Sequence, residues 1–339
     1  MNASLIVHSA GPGVSIQDGG RPGFLAVGLS RGGAADRLAL LEAAALLGHE
    51  TADAAAIEMA GFGGIFEATG AMRIALTGAP MRARLNGEAI AWHASHGLQA
   101  GDMLDIGGPL SGLFGYLSLG GGIDTPPVLG SRSTHGVARI GRNIRAGDRI
   151  PSGEDTHLES VGQRLEPRPR FTGGTVRFVE GPQTALFDEE SRDRFVNTAF
   201  TRDPRGNRQG VRLVFDGPRF AVKGQLDIVS EIISPGDIQV PGDGSPFVLM
   251  PECQTIGGYP RIGTIVPDDL AIVAQAAPGT RLRFHLVDPV AALADYRRQR
   301  REEADLRYKV EPLIRDPAAM RDLLGYQLIS GATAGDDPG

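Results

Sequence analysis

The sequence predicts a mainly β protein with a few helices, because short strand-like segments alternate with turn residues. Alternating apolar residues recur at 72–76, 114–119, 175–179, 211–215, 247–250 and 281–287. The chain has 48 glycines and 23 prolines among 339 residues, which exceeds average usage but stays below the level of structureless chains. Short strands at this spacing are typical of β sandwiches and barrels.

A glycine-centred turn recurs four times, at Gly101, Gly147, Gly236 and Gly279. Glycine suits the turn position that needs a positive φ, and an apolar position follows each turn closely. The two turns in each half of the chain have similar spacings. The pattern therefore indicates either two related β modules in each half or a chance likeness among four hairpins.

Three segments predict helices. Residues 34–47 place apolar side chains at helical spacing and carry Asp36 in the first turn. Residues 184–196 begin with an acidic cluster and offer two phenylalanines for an inner face. Residues 290–308 are heavily charged, and their arginines predict a solvated face: Arg297, Arg298, Arg300 and Arg301.

The best domain boundary is the polar, proline-bearing segment 153–171. It predicts a first β domain over residues 1–160 and a second β domain over residues 161–288. Residues 289–339 are predicted to form a C-terminal helical segment followed by a disordered tail that ends the sequence.

Composition excludes several classes of protein. Lys and Arg total 34 against 40 Asp and Glu, so the chain lacks the basic surface that nucleic-acid binding needs. The single cysteine, Cys253, excludes an intrachain disulfide and favours a reducing compartment. Without a signal sequence or a long apolar run, we expect a cytoplasmic protein with no membrane partner. The seven histidines are scattered, and no metal site is predicted.

The first cluster of candidate site residues lies in the glycine-rich segments 15–24 and 28–37. Gln17, Asp18, Arg21 and Arg31 stand there among glycines, so they belong to a shaped loop rather than to a packed strand. Arg21 suits a bidentate contact with a carboxylate or phosphate. The alternative is that Asp18 and Arg21 only pin the loop to itself.

The second cluster is the segment 116–135, in which three glycines follow an alternating strand. Ser131, Arg132 and Ser133 concentrate hydroxyls and a cation at a turn, which indicates an anion site or a structural turn. The chain has no Gly-x-x-x-x-Gly-Lys-Ser/Thr sequence. A nucleotide would therefore be held by other means or largely by another chain.

The third cluster lies in segment 230–264, where polar residues are interleaved with glycine and proline. Gln254 and Thr255 offer donors for an amide or ureido carbonyl, Glu231 suits its N–H, and Tyr259 suits an apolar ring. Arg261 adds a cation. The alternative is an ordinary hairpin loop.

Candidate nucleophiles are few. Cys253 is either a thiol nucleophile or, as we favour, a small buried hydrophobe. No Gly-x-Ser-x-Gly elbow surrounds Ser15, Ser131 or Ser133, so a serine hydrolase is not predicted.

Six strings together resemble the carboxyltransferase-domain family that includes the C subunit of 5-oxoprolinase, KipA and the carboxyltransferase domain of urea carboxylase. They are SIQDGGRPGF, GAADR, GGGIDTPPVLGSRST, GPQ, SPGDIQVPGDGSP and QTIGGYPRIGT. Relatives often have Asp-Arg-Met-Gly where this chain has Asn207-Arg208-Gln209-Gly210. The chain therefore keeps the arginine, Arg208, and loses the acid.

The resemblance implies two cyclophilin-like β-barrel subdomains with the active surface between them. It implies ATP-dependent opening of 5-oxoproline to glutamate, with ATP, Mg²⁺, and partners that resemble the A and B components of 5-oxoprolinase. The interpretation assigns catalytic roles to Gln254, Thr255, Tyr259 and Glu231. It assigns substrate or nucleotide binding to Gln17, Asp18, Arg21, Arg31, Ser131, Arg132, Ser133, Arg208 and Arg261.

Two alternatives stay open. One is a biotin-dependent carboxyltransferase acting on a urea-like nitrogen, with the biotin on another chain because this sequence has no Met-Lys-Met site. The other is a KipA-like regulatory binding protein.

Overall fold

The alternating segments form strands in the computed structural model, which describes residues 3–49, 54–222 and 228–314. Within these ranges the chain has 22 β-strands and four α-helices. The predicted mainly β fold is therefore confirmed. Lys223 and the predicted tail, residues 330–339, lie outside the described residues.

The first half of the chain contributes two sheets. Its strands are β1 (Ser4–Ala10), β2 (Ser15–Gln17), β3 (Ala56–Ala60), β4 (Gly64–Ala68), β5 (Met72–Gly78), β6 (Met81–Leu85), β7 (Glu88–Ala89), β8 (Ala94–Leu98), β9 (Met103–Pro109), β10 (Phe114–Leu119), β11 (Arg149–Pro151) and β12 (Gln163–Arg164). In the described chain one sheet has the order β11-β1-β4-β9-β6-β7. The other has β2-β3-β10-β5-β8-β12 and ends on β22 (Glu311–Pro312).

The two sheets pack around one apolar core. Alternate residues of β1, such as Leu5 and Val7, meet Ile57 and Leu117 of the opposite sheet in this core. Strands β5 and β10 are buried along their whole lengths, because a helix covers their outer face.

The second half of the chain closes into a barrel. Its strands are β13 (Gly174–Val179), β14 (Ala199–Arg202), β15 (Gly210–Val214), β16 (Glu231–Ile232), β17 (Asp237–Gln239), β18 (Phe247–Leu249), β19 (Ile256–Gly257), β20 (Arg261–Ile265) and β21 (Arg281–Leu286). The barrel order is β13-β20-β17-β18-β15-β14-β21, and parallel pairing of β13 with β21 closes it. Strands β16 and β19 form a separate small sheet.

The four helices are α1 (Arg37–Leu47), α2 (Glu189–Asn197), α3 (Leu270–Gln275) and α4 (Pro289–Ala304). Asp36 precedes α1 and caps it, since its carboxylate accepts the Leu38 N–H at 3.1 Å. The predicted helix 184–196 starts late because Asp188 is extended and caps the Ser191 N–H at 2.8 Å. The preceding residues form a 3-10 turn, Thr184–Leu186.

The halves share a core and the C-terminal segment returns to the first half. Ala35 and Leu40 of the first half join the barrel phenylalanines in one apolar cluster. Strand β22 pairs with β12, and Leu306 packs against Leu47 of α1. Helix α4 therefore lies beside the junction between the halves. None of the described helices is long and apolar enough to cross a membrane.

Candidate functional site

A cavity of about 730 Å³ lies where the two halves and α4 meet. Its walls come from the loop at residues 21–25, from the start of α1, from residues 264–271 and from α4. Much of the lining is apolar: Leu25, Leu38, Leu41, Leu270 and Leu293. We call this space the large cavity; its volume suits a small-molecule ligand.

The large cavity carries an excess of positive charge. Arg21, Arg31, Arg37 and Arg300 line it together with Asp268. Arg300 pairs with Asp268, whereas Arg37 makes no ion pair with any described residue. Partial burial lowers the pKa of Arg37, and the neighbouring Arg31 and Arg300 lower it further. An anion bound there would relieve this repulsion.

Asp18 joins the first two predicted clusters into one structure. Its carboxylate accepts the hydroxyl hydrogens of Ser131 at 2.6 Å and Ser133 at 2.5 Å. It also accepts the backbone N–H of Arg132 at 2.6 Å and of Gly20 at 2.8 Å. The loop at residues 18–21 is therefore tied to the turn at residues 131–133.

Arg21 strengthens the same tie. Its buried guanidinium donates to the carbonyl oxygens of Val128 at 2.9 Å, Ser133 at 2.5 Å and Ser131 at 3.2 Å. Its Nη1 has no partner in the described chain. Gln17 donates to the Thr134 carbonyl oxygen at 3.1 Å and is also buried. These residues pin the loops, and Arg21 keeps a free donor.

Gly33 explains why glycines crowd the loop beside Asp18. A Cβ on Gly33 would lie 2.7 Å from the Gly20 nitrogen, and Gly33 has a φ of +86°. Only glycine permits this approach without displacing the backbone.

The third predicted cluster lies on the small sheet of β16 and β19, apart from the large cavity. Arg261 donates to Glu231 at 2.5 Å and to Asp237 at 3.1 Å. Tyr259 and Gln254 are exposed, whereas Thr255 is buried. None of Glu231, Gln254, Thr255, Tyr259 and Arg261 lines the large cavity.

Arg208 lies in a buried ion network rather than in an open site. Its Nε donates to Glu252 at 2.6 Å, its Nη1 donates to Glu58, and its Nη2 donates to the Gly33 carbonyl oxygen at 2.5 Å. The Tyr116 hydroxyl donates to the second oxygen of Glu58 at 2.7 Å. Burial and the nearby carboxylates raise the pKa of Tyr116 well above its usual value.

The network continues through Asp36 to the linker between the halves. The Tyr116 hydroxyl accepts the Asp36 N–H at 2.8 Å, and Arg170 donates to Asp36 at 2.6 Å. Arg170 also makes two hydrogen bonds of 2.7 Å to Glu42. Sequence reasoning missed Glu42, Glu58 and Arg170, and it named Arg208 only as a binding residue. The available signal was a charge inside an apolar segment, which must be paired when buried.

His135 and Ser30 resemble a catalytic pair but are not arranged as one. The His135 Nδ1 accepts the Ala138 N–H at 3.2 Å, and burial lowers the pKa of His135, so the ring is neutral. The proton is therefore on Nε2, which lies 3.0 Å from the Ser30 Oγ and donates to it. This tautomer cannot remove the serine proton, and both residues are buried.

We expect Cys253 to resist thiol reagents in the folded protein. Its side chain is buried against Ile233 and Leu249, and burial raises its pKa to about 12. Little thiolate is therefore present near pH 8. The measurement compares the rate of reaction with a disulfide reagent before and after unfolding in urea. Rapid stoichiometric labelling of the folded chain would contradict the expectation.

The fold and the order of these loops along the chain define a class of protein. Comparison with known proteins identifies that class. The chain belongs to the carboxyltransferase domain family, subdomains A and B, whose model matches residues 27–286. It is 36% identical over 289 residues to the C subunit of 5-oxoprolinase from Escherichia coli, covering 83% of this chain and 90% of that protein.

Solved structures agree with this assignment. The crystal structure of TTHA0988 matches with a TM-score of 0.76 and 31% identity, over 84% of this chain and 56% of that one. This chain thus spans little more than half of that protein. The K. lactis urea amidolyase matches in fold, with a TM-score of 0.81 and 24% identity over 93% of this chain and 21% of that one.

Proposed function

We propose that this chain is the C-like subunit of an ATP-dependent 5-oxoprolinase and that it acts with A-like and B-like partner subunits. The observation that carries the proposal is its 36% identity along 90% of a protein named as the C subunit of 5-oxoprolinase. The large cavity between the halves supports it, because its cations and apolar walls suit an anionic ligand with an apolar portion, such as a nucleotide.

The proposed reaction opens the cyclic amide of 5-oxoproline. The ring C–N bond breaks, its nitrogen gains a proton, and the carbonyl carbon gains a water oxygen to give glutamate. Phosphoryl transfer from MgATP to the carbonyl oxygen supplies a leaving group that the lactam lacks. Phosphoryl transfer releases ADP, one water opens the ring to give an acyl phosphate, and a second water displaces phosphate from that acyl phosphate to give glutamate.

In this proposal the residues divide into two surfaces. Arg21, Arg31 and Arg37 at the large cavity contact the phosphates of the nucleotide. Ser131, Ser133, Gln17, Asp18 and Arg208 hold the loops that present them, since their hydrogen bonds are made within the chain.

The catalytic group lies on the second surface, the small sheet. Gln254, Thr255, Tyr259 and Glu231 act there on the amide, and Arg261 holds Glu231 in place. A partner protein that covers this sheet would complete the site. Exposed Ile232 and Ile256, which face each other across the two strands, support a covered surface.

The test is reconstitution with the A-like and B-like partner subunits. We expect the mixture to release glutamate from 5-oxoproline and phosphate from ATP in step, and to lose both products when this chain is omitted. Neither biotin nor bicarbonate should be required. This chain should also elute together with the B-like partner in size exclusion at micromolar concentration. Separate elution and undiminished turnover without this chain would contradict the proposal.

Biotin belongs only to the carboxyltransferase alternative and would be carried by another chain. Of the two lysines, Lys309 lies in the 3-10 turn Leu306–Lys309 rather than at a hairpin tip. Lys223 lies outside the described residues.

A further inference from the structure

A second, smaller cavity of about 300 Å³ opens on the first half, beside the turn at residues 131–133. We call it the small cavity. Its described lining has one carboxylate and four arginines: Asp148, Arg21, Arg132, Arg142 and Arg149. Arg142 makes two hydrogen bonds of 2.7 Å to Asp148, so that carboxylate is neutralised. The remaining lining is positive.

Two of these arginines have unused binding capacity. Arg21 is only 1% exposed, yet its Nη1 has no hydrogen-bond partner in the described chain. Buried polar atoms without partners are uncommon in folded proteins and call for an explanation. Arg149 is exposed at the cavity and forms no ion pair with any described residue. The Arg132 guanidinium donates through Nε to the Thr125 carbonyl oxygen at 2.7 Å, and its ion pair with exposed Asp124 is weak because the two groups lie 3.9 Å apart.

The backbone adds donors at the same place. Gly141, Arg142 and Asn143 line the small cavity, and no acceptor in the described chain bonds their backbone N–H groups. Consecutive free N–H groups beside cations are the usual protein contribution to a bound oxyanion. The loop is held in place because the Ile144 N–H donates to the Val14 carbonyl oxygen at 2.8 Å.

The geometry points to a phosphate-binding site in the small cavity, formed by Arg21, Arg132 and Arg149 with the backbone of residues 141–143. Guanidinium groups and several N–H groups supply more donors than the two oxygens of a carboxylate accept, whereas a phosphate accepts them all. The phosphate is either free, as orthophosphate or pyrophosphate, or the tail of a nucleotide. Arg21 also lines the large cavity, so this residue borders both spaces. The inference does not rest on the proposed function, because it concerns binding by the isolated full chain.

The test is calorimetric titration of the full chain with inorganic phosphate, pyrophosphate, MgATP and acetate at constant ionic strength set with potassium chloride. We expect binding of at least one phosphate-bearing probe and none of comparable strength for acetate. Binding of phosphate or pyrophosphate identifies a free anion as the source. Binding of MgATP alone identifies the nucleotide tail.

Variants decide whether the binding occurs at this cavity. Arg132→Ala and Arg149→Ala should each raise the dissociation constant of the probe that binds by about tenfold or more, because a charge-assisted hydrogen bond is lost. Arg145→Ala is the matched control, because Arg145 is exposed on the same loop but does not line the cavity. The exposed Arg149 side chain makes no hydrogen bond or ion pair with the described chain, so its variant remains decisive if Arg132→Ala is unstable. Equal affinity in all three variants, equal binding of acetate, or no binding of any phosphate probe would overturn the inference.

Discussion

Arg208→Ala is expected to lower the free energy of unfolding by about 3–5 kcal/mol. Arg208 bonds Glu58 of β3 and Glu252 beyond β18, and both carboxylates are buried. Removal of the guanidinium leaves two negative charges inside the protein without a cation. The Gly33 carbonyl oxygen also loses its donor, which loosens the loop at the large cavity. Urea unfolding followed by circular dichroism measures the change.

Arg205→Ala is the matched control for Arg208→Ala. Arg205 lies in the same loop and pairs with Asp203, but its side chain is 70% exposed, so its loss should change stability little. A triple variant, Arg208→Met with Glu58→Gln and Glu252→Gln, should recover much of the lost stability, because no unpaired charge is then buried. Arg208→Ala unfolding at the same urea concentration as the unchanged chain would refute the role of the network.

Local structure was largely predictable because its causes are local. The turns at Gly101, Gly147, Gly236 and Gly279 all have a positive φ, between +84° and +95°. Asp36 begins α1 as predicted, although as the cap rather than within the first turn. The two halves differ in closure: the second is a closed barrel, and the first is a pair of packed sheets. Whether a sheet closes into a barrel depends on pairing between strands that are distant in the sequence, and no local sequence pattern predicts that pairing.

The loops of the candidate site were predicted separately, and the structure shows how they combine. The turn at residues 131–133 and Asp18 are more than a hundred residues apart, and a carboxylate joins them. Helix α4 shows the limit of charge patterns. Its arginines predicted a solvated face, yet Leu293, Tyr296 and Arg300 form one helical face that lines the large cavity.

Arg208 was singled out by the sequence, but the ion network that it forms was not predicted. The family resemblance, through the string Asn207-Arg208-Gln209-Gly210, suggested a role in ligand binding. The Arg208 partners Glu58 and Glu252 come from distant segments, and the burial of both carboxylates is visible only in the folded chain. An acid inside the apolar strand β3 already required a cation, but the sequence offers 32 arginines as candidates.

Gln254→Ala is expected to lower turnover of the reconstituted complex by about 10²–10³-fold, equivalent to about 2.7–4 kcal/mol, if Gln254 donates to the oxygen that gains charge. The backbone around it is fixed: the Cys253 N–H donates to the Met250 carbonyl oxygen at 2.9 Å, and the Thr255 carbonyl oxygen accepts the Ile233 N–H at 3.1 Å. The Gln254 side chain is exposed and makes no hydrogen bond to the described chain. The side-chain amide is therefore available to donate to a bound carbonyl oxygen.

The measurement follows glutamate and phosphate together in the three-component mixture, because a defect in the amide step depresses both products equally. Gln99→Ala is the matched control, since Gln99 is an exposed glutamine near the turn at Gly101 and is not part of the small sheet. Unchanged turnover in Gln254→Ala would show that the reacting carbonyl does not bind at this sheet. It would favour the large cavity alone as the catalytic site. Activity only with bicarbonate and a biotinylated carrier would select the carboxyltransferase alternative. No turnover with either set of components would leave a regulatory role, in which the exposed Gln254 face contacts a protein and not a substrate.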